Sequence, residues 1–299
     1  MALTLAEAAK LSRDMVLAGV MESIIKESPV LDVLPFIDVV GNAFVYNRLS
    51  AEPGVAFQAV GGTWTESTPT YTKVTQALTI LGGDADVDNY IQLTRSDVQD
   101  QEAVVIQQKA KALARKWEDT FINGDTAVDA DAFNGLDKLV ASGPAGQTVS
   151  MGTNGGSLTL ARLDELIDVV KTKNIALMLS RRSRRTLQNL VRTSGAVLES
   201  RPGTFLEWIQ TYNGVPLFIN DYISDAQTVG TSSDCSTIYC FSLGEQDQGV
   251  VGLTAPGGPV VEKVGELETK DAVRWRVKWY SAIAWLSELS AGRLIGVRP

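Results

Sequence analysis

Histidine is absent from the 299 residues of this chain. Its absence removes Ser-His-Asp and Cys-His catalysis, every histidine-ligated zinc or haem site, and the side chain that titrates most readily near neutral pH. Cysteine is scarce, with only Cys235 and Cys240. An offset of five along a strand-like segment puts them on opposite faces about 16 Å apart, so they read as reduced thiols and not as a disulfide. Long apolar runs are missing too. No stretch approaches the roughly 20 residues that cross a bilayer, and the N-terminus lacks a basic segment followed by an apolar one. Neither a membrane anchor nor a signal peptide is expected, and the protein is expected to be made and kept in the cytosol. There is no G-x-x-x-x-G-K-[ST] loop, no G-x-G-x-x-G after a strand, no G-x-S-x-G elbow and no paired C-x-x-C. A carboxylate or lysine enzyme is what these absences leave, with no motif pointing to one and no cofactor implied. Cations are in deficit, 27 Lys and Arg against 35 Asp and Glu for a net charge of -8. A dedicated DNA binder carries the opposite excess.

What is present begins with a core: 44% of residues are hydrophobic, and the length suits two domains or one elaborated one. The most informative stretch runs from Ser96 to Leu139. Ser96 with Gln99 makes a capping box, and Ala103, Ile106, Ala110, Leu113, Trp117 and Phe121 recur at helical spacing along one stripe. A helix from about Asp97 to Ile122 spans roughly 40 Å, a spar more than an ordinary globular helix. It is expected to stop at Asn123-Gly124, with the glycine taking a left-handed cap. Asp125 follows, then Phe133-Asn134-Gly135-Leu136.

This helix and the turn beyond it resemble the spine helix and glycine turn of tailed-phage major capsid proteins of the HK97-like fold. Asn123, Gly124, Asp125, Phe133, Gly135 and Leu136 stand where that family has its "nGD … f-G-L" turn. The order of parts along the whole chain is similar as well. The resemblance implies an α+β HK97-like capsid fold: an N-terminal arm over 1–40, an extended β-hairpin loop over 41–88, a peripheral domain with the spine helix and the long C-terminal strand over 89–135 and 256–299, and an α/β axial domain over 136–255.

Each part also has a reading of its own. Thr4 and Glu7 open a helix with Leu11, Met15, Ala18, Met21 and Ile25 on its apolar stripe, ending near Ser28-Pro29. It is either a core helix or, as the resemblance implies, an arm lying on a neighbouring subunit through Leu11, Met15 and Met21. Phe44 to Leu49 reads as a strand, Ala51-Glu52-Pro53-Gly54 as a turn, and Val74, Gln76, Leu78 and Ile80 as one face of a long returning strand. A two-stranded hairpin is marginal alone; the resemblance has it reach an adjacent subunit, making Glu52, Pro53, Gly54, Trp64 and Lys73 candidate interface residues. Crosslinking through Lys73 is not expected, because no asparagine or glutamate partner can be placed.

Asp84, Asp86 and Asp88 share one face of a strand. The EF-hand pattern is excluded, since its sixth and twelfth positions fall on Asn89 and Arg95. Arginines from a neighbour, or solvent, are favoured over a metal as their relief. Asp125, Asp129 and Asp131 read as a solvated loop. Leu160 to Val170 marks a helix, Ile175 to Leu179 a buried strand, and Ser180 the cap of a helix opening with Arg181, Arg182, Ser183, Arg184 and Arg185. Four arginines at a helix start oppose the macrodipole and require anions. Salt bridges, within the chain or between subunits, are favoured over specific DNA contact. Asn213-Gly214 introduces the strand Val215 to Asn220, and another runs from Ser236 to Ser242. Val273, Trp275, Val277 and Trp279 alternate with Arg274, Arg276, Lys278 and Tyr280, a strand with an apolar and a basic face. Trp275 and Trp279 are expected to pack on the spine helix near Ile106, Leu113, Trp117 and Phe121, and the basic face to meet a neighbour or the lumen.

The resulting expectation is a non-enzymatic coat protein that self-assembles into pentamers and hexamers of an icosahedral shell around double-stranded DNA. A separate scaffolding protein and a portal are its expected partners, with weak non-specific DNA contact, no membrane, assembly in the host cytoplasm and residence in the virion. An encapsulin-like bacterial compartment is the alternative, and a histidine-free α/β enzyme a remote third.

Overall fold

The computed structural model describes residues 29–95, 101–195, 198–202 and 208–298. The arm stripe with Leu11, Met15 and Met21, and the Ser96–Gln99 capping box, lie outside them.

One strand organises the first sheet. β15 (Ala272–Trp285) pairs along one edge with β4 (Thr79–Asp88) from Ser281↔Thr79 to Ala272↔Asp88. Along its other edge lie β13 (Val250–Thr254) and then β14 (Val260–Glu266), while the short β1 (Phe36–Asp38) joins β13 in parallel. The long helix, Gln101–Asn123, packs across this sheet. Its 23 residues give a spar of about 34 Å, rich in Ala, Lys and Gln, all strong helix formers. Trp117, Phe121 and Ile122 are fully buried, whereas Ala103 is exposed and Ile106 and Leu113 are half-buried. The apolar stripe is therefore anchored at its C-terminal end. Gly83 of β4 lies under the end of the Lys109 side chain, whose Cε would be 2.6 Å from a Cβ there.

The second sheet has nine strands. Its spine runs β5 (Thr148–Ser150), β16 (Ala291–Arg298), β12 (Ser232–Ser242), β7 (Ile175–Leu179), β10 (Val215–Ile219), β9 (Trp208–Tyr212) and β8 (Glu199–Pro202). β6 (Gly156–Ser157) adds to β16 and β11 (Gln227–Val229) to β12. Alternation sorts its side chains between two cores. Leu177, Leu179, Ile238 and Cys240 meet Leu163, Leu166, Leu187 and Val191 of the helices Leu160–Val169 and Arg181–Thr193. Met178, Tyr239 and Phe241 join Trp117, Phe121 and Trp279 in the other core. Burial on both faces is why β7 reads as a continuous apolar run. Cys235 and Cys240 are buried free thiols, and burial pushes the Cys240 thiol up to about 12.

Sheet membership redraws the expected boundaries. Thr79–Asp88 belongs to the first sheet and not to the hairpin, Val250–Thr254 sits in that sheet too, and the final strand Ala291–Arg298 belongs to the second. The hairpin is β2 (Ala43–Ala51) with β3 (Thr70–Ala77). The returning segment is two strands, not one: it leaves β2 at Leu78, whose N–H donates to the Asn42 carbonyl, and then pairs with β15. The exchange of partners turns Ile80 outward, 75% exposed opposite Tyr280. The reversal expected at Glu52-Pro53-Gly54 is further out. Gly54 N–H donates to Ser67 Oγ at 2.9 Å, and the chain turns where Gly62 N–H donates to the Ala59 carbonyl at 3.0 Å.

Candidate functional site

Four surfaces and joints carry the candidate residues, beginning at the end of the long helix. Gly124 does not have a positive φ, so the expected left-handed cap is absent. Space is what demands glycine there. A Cβ on Gly124 would lie 2.5 Å from the Thr120 carbonyl oxygen and closer still to that of Phe133, and one on Gly135 would lie 2.6 Å from Gly124 N. The two glycines bring the helix end and the following segment into backbone contact, with Gly135 N–H donating to the Gly124 carbonyl at 2.8 Å. Asn134 Oδ1 accepts from both the amide and the hydroxyl of Thr126, and Asn123 Nδ2 donates to the Tyr222 carbonyl. Asp125 accepts from Lys138 at 2.9 Å and from the Ala127 amide, which hold its carboxyl below the usual range. Behind this turn Trp117 stacks on Trp279 with ring centroids 5.3 Å apart, and Phe36, Phe121 and Phe133 complete the cluster. Trp279 thus packs on the long helix, while Trp275 reaches it by donating its indole N–H to Glu102.

A charge ladder crosses the outer face of the first sheet. Arg274 grips Asp86 in a bidentate pair at 2.6 and 2.8 Å, Arg276 grips Asp84 at 2.7 and 3.0 Å, and Lys278 Nζ donates to Glu262 at 2.7 Å. The basic face of β15 and the aspartate face of β4 are each other's partners, so the expectation that neighbours supply the opposite charges is corrected. Antiparallel pairing of the two strands dictates this, because Arg276↔Asp84 and Arg274↔Asp86 are directly opposed. The arginine hydrogen bonds hold both carboxyls below their ordinary value. Asp88 has another task, accepting from the Tyr90 amide to start the short helix Asn89–Arg95.

At the hairpin root, Phe44, Tyr46 and Arg48 share the inner face of β2. Arg48 Nε donates to the Leu286 carbonyl at 3.0 Å, one terminal nitrogen to the Trp285 carbonyl and the other to Glu288 at 2.9 Å. The guanidinium lies 5.5 Å from the ring centroids of both Tyr46 and Trp285, within cation–π range. Tyr46 Oη donates to the same Trp285 carbonyl at 2.7 Å, and burial raises its pKa. This clamp fixes the hairpin to the β15–β16 connection. Sequence reasoning missed it, although the period of two already placed Arg48 beside two aromatic side chains on one strand face.

Beyond the root, Glu52, Pro53, Gly54 and Trp64 are all exposed, and Lys73 is exposed on the hairpin's outer face. The projecting loop also carries Val55, Phe57 and Val60 fully in solvent, with Trp64 70% exposed. Leu49 and Tyr71, cross-strand partners, are exposed as well. A groove of about 930 Å³ runs between the hairpin root and residues including Pro144, Leu286 and Leu289.

In the arginine helix, Ser180 caps by accepting from the Ser183 amide. Arg181 pairs with Asp221 at 2.8 Å and Arg182 with Asp225 at 3.4 Å, and Arg182 also donates to the Asp234 carbonyl. The expected intrachain salt bridges account for these two arginines. Arg184 and Arg185 have no carboxylate partner among the described residues. Among the described residues the aspartates whose acidity the fold moves, Asp84, Asp86, Asp125 and Asp234, all move down, each held by an arginine or lysine donor. Among the described residues no three His, Cys, Asp or Glu side chains converge as metal ligands, and no helix is long and apolar enough to cross a membrane.

No family model matches the sequence, and neither does any curated protein. Solved structures do match its fold. A chain of the holo-SrpI encapsulin complex from Synechococcus elongatus PCC 7942 aligns over 100% of this chain and 97% of its own, with TM-score 0.75 and 20% identity. The capsid of an empty GTA particle aligns over 98% and 97%, with TM-score 0.73 and 15% identity. The cyanophage A-1(L) capsid aligns over 99% and 100%, with TM-score 0.72 and 13% identity. The chain has the HK97-like fold of these shells.

Proposed function

We propose that this HK97-fold chain is a structural subunit whose chemistry is association: a major capsid protein that self-assembles into pentamers and hexamers of an icosahedral shell around double-stranded phage DNA. The observation that carries the reading is the projecting loop, with Val55, Phe57, Val60 and Trp64 in solvent on a hairpin whose root is clamped by Arg48. Water is a poor environment for four large apolar side chains on one loop. A second copy is the cover that the reading supplies. The loop of one subunit against the body of the next is a heterologous contact, and such contacts close into rings. The arm with Leu11, Met15 and Met21 belongs to the same scheme as a second connection between subunits. A scaffolding protein and a portal would act in assembly, in the host cytoplasm, with the shell ending in the virion. The net charge of -8 suits a wall that holds packed DNA weakly.

A second reading is favoured by one observation. The encapsulin chain aligns with this one at TM-score 0.75 and 20% identity, above the GTA and cyanophage capsids quoted. In that reading the same shell encloses cargo and not a genome. Nucleic-acid absorbance of particles from the natural source separates the two: DNA-filled particles support the capsid, and nucleic-acid-free particles holding a second protein support the compartment. The association surface itself is tested by Phe57→Asp with Val60→Asp. Both side chains are already in solvent, so the melting temperature should stay within about 2 °C of wild type while rings and shells are lost. Unchanged assembly would remove the loop from the interface.

A further inference from the structure

The helix Arg181–Thr193 has five arginines and no carboxylate, in a chain whose overall charge is negative. Residues 181, 184, 185, 188, 189 and 192 fall within about 140° of its circumference and span about 16 Å. They are Arg181, Arg184, Arg185, Gln188, Asn189 and Arg192. The opposite side, Ser183, Leu187 and Val191, is buried in the core. Of the four arginines on this stripe, Arg181 is neutralised by Asp221. Arg184, Arg185 and Arg192 have no ion-pair partner among the described residues. Arg184 Nε is also buried without a hydrogen-bond acceptor, and three of these arginines stand in the first turns, where the helix dipole opposes cations.

We propose that this stripe holds the phosphate backbone of duplex DNA without regard to base sequence. The proposal rests on the reading of the chain as the wall of a DNA-filled shell and supplies that wall's contact residues. Guanidinium groups pair with phosphate and with carboxylate alike in bidentate geometry, and two other features favour phosphate over the carboxylates of another copy. Between them Asn189 presents an exposed amide, a group that hydrogen-bonds to phosphate and sugar, while the Gln188 amide donates to Gln210 at 3.1 Å. The stripe contains no aromatic or aliphatic residue, whereas the buried centre of a contact between protein copies is apolar. A duplex strand advances about 3.4 Å per phosphate, so a 16 Å stripe faces four or five of them.

The test compares wild type with Arg184→Gln/Arg185→Gln/Arg192→Gln, and with Arg185→Glu alone as a milder change at an exposed site. Anisotropy of a labelled duplex of about 30 base pairs is read between about 50 and 200 mM salt, and the same samples are imaged for rings and shells. The triple variant should bind at least tenfold more weakly at the lowest salt, and the slope of log K against log salt should fall by about 2 to 3, with assembly unchanged. Arg185→Glu should move both readings the same way by a smaller amount. Undiminished DNA affinity in the variants, or a wild type without affinity, overturns the proposal. Lost shells with DNA affinity retained would assign the stripe to a contact between copies. Arginine-dependent DNA binding by a wild type that never forms shells would count against the shell reading and leave the stripe standing.

Discussion

Gly124 and Gly135 are each other's reason for being glycine. Because neither needs a positive φ and both lack room for a Cβ, Gly124→Ala should cost at least about 2 kcal/mol of stability as overpacking, measured by chemical denaturation; a variant as stable as wild type would mean that the turn relaxes freely. The Asp–Arg ladder makes a pH prediction of definite sign. Asp84 and Asp86 have folded pKa values below the unfolded one. Their contribution is therefore complete above the unfolded value of about 3.9 and is lost as pH falls through the lower folded values. Asp84→Asn with Asp86→Asn should lower the melting temperature at pH 7 and lose that difference toward pH 2. A difference that persists at pH 2 would place the effect elsewhere. At this scale the sequence was partly legible. Gly124 could be picked out as a helix stop and Gly135 through the family resemblance, but their physical reason could not, because close approach depends on backbone that meets only in three dimensions.

Among the elements, the hairpin depends on how firmly its root is set. With Arg48 removed, the Leu286 carbonyl and Glu288 lose this donor and the Trp285 carbonyl keeps only the Tyr46 hydroxyl. Arg48→Ala should leave the body folded while amide exchange across Ala43–Ala51 and Thr70–Ala77 accelerates by tenfold or more, for a loss of about 1.4 kcal/mol or more in local stability. Unaltered exchange would mean that the clamp is incidental. Periodicity made elements legible where one face is buried and one is wet, as in the long helix and the ladder half of β15, while β7, buried on both faces, was legible as a continuous apolar run. It failed where a strand changes partner. Val74, Gln76, Leu78 and Ile80 look like one face, yet the exchange of β2 for β15 at Leu78 turns Ile80 outward. Ladder partners were hidden for a related reason, since Arg274 and Asp86 are 188 positions apart and nothing local announces their register.

For the whole molecule, the first sheet is assembled from distant pieces of chain, with β4 and β15 at opposite ends of the sequence order, and β16 returns to the second sheet. Linear boundaries could not express that interleaving, although the order of parts was enough to indicate the fold. The body buries two cores and leaves a projecting loop whose apolar side chains have no cover within the described chain. Association of copies is the central claim, and electron microscopy of the protein expressed alone tests it most directly. The account predicts closed shells, or rings of five and six subunits. A monodisperse monomer or dimer that persists with scaffolding protein and crowding supplied would contradict it.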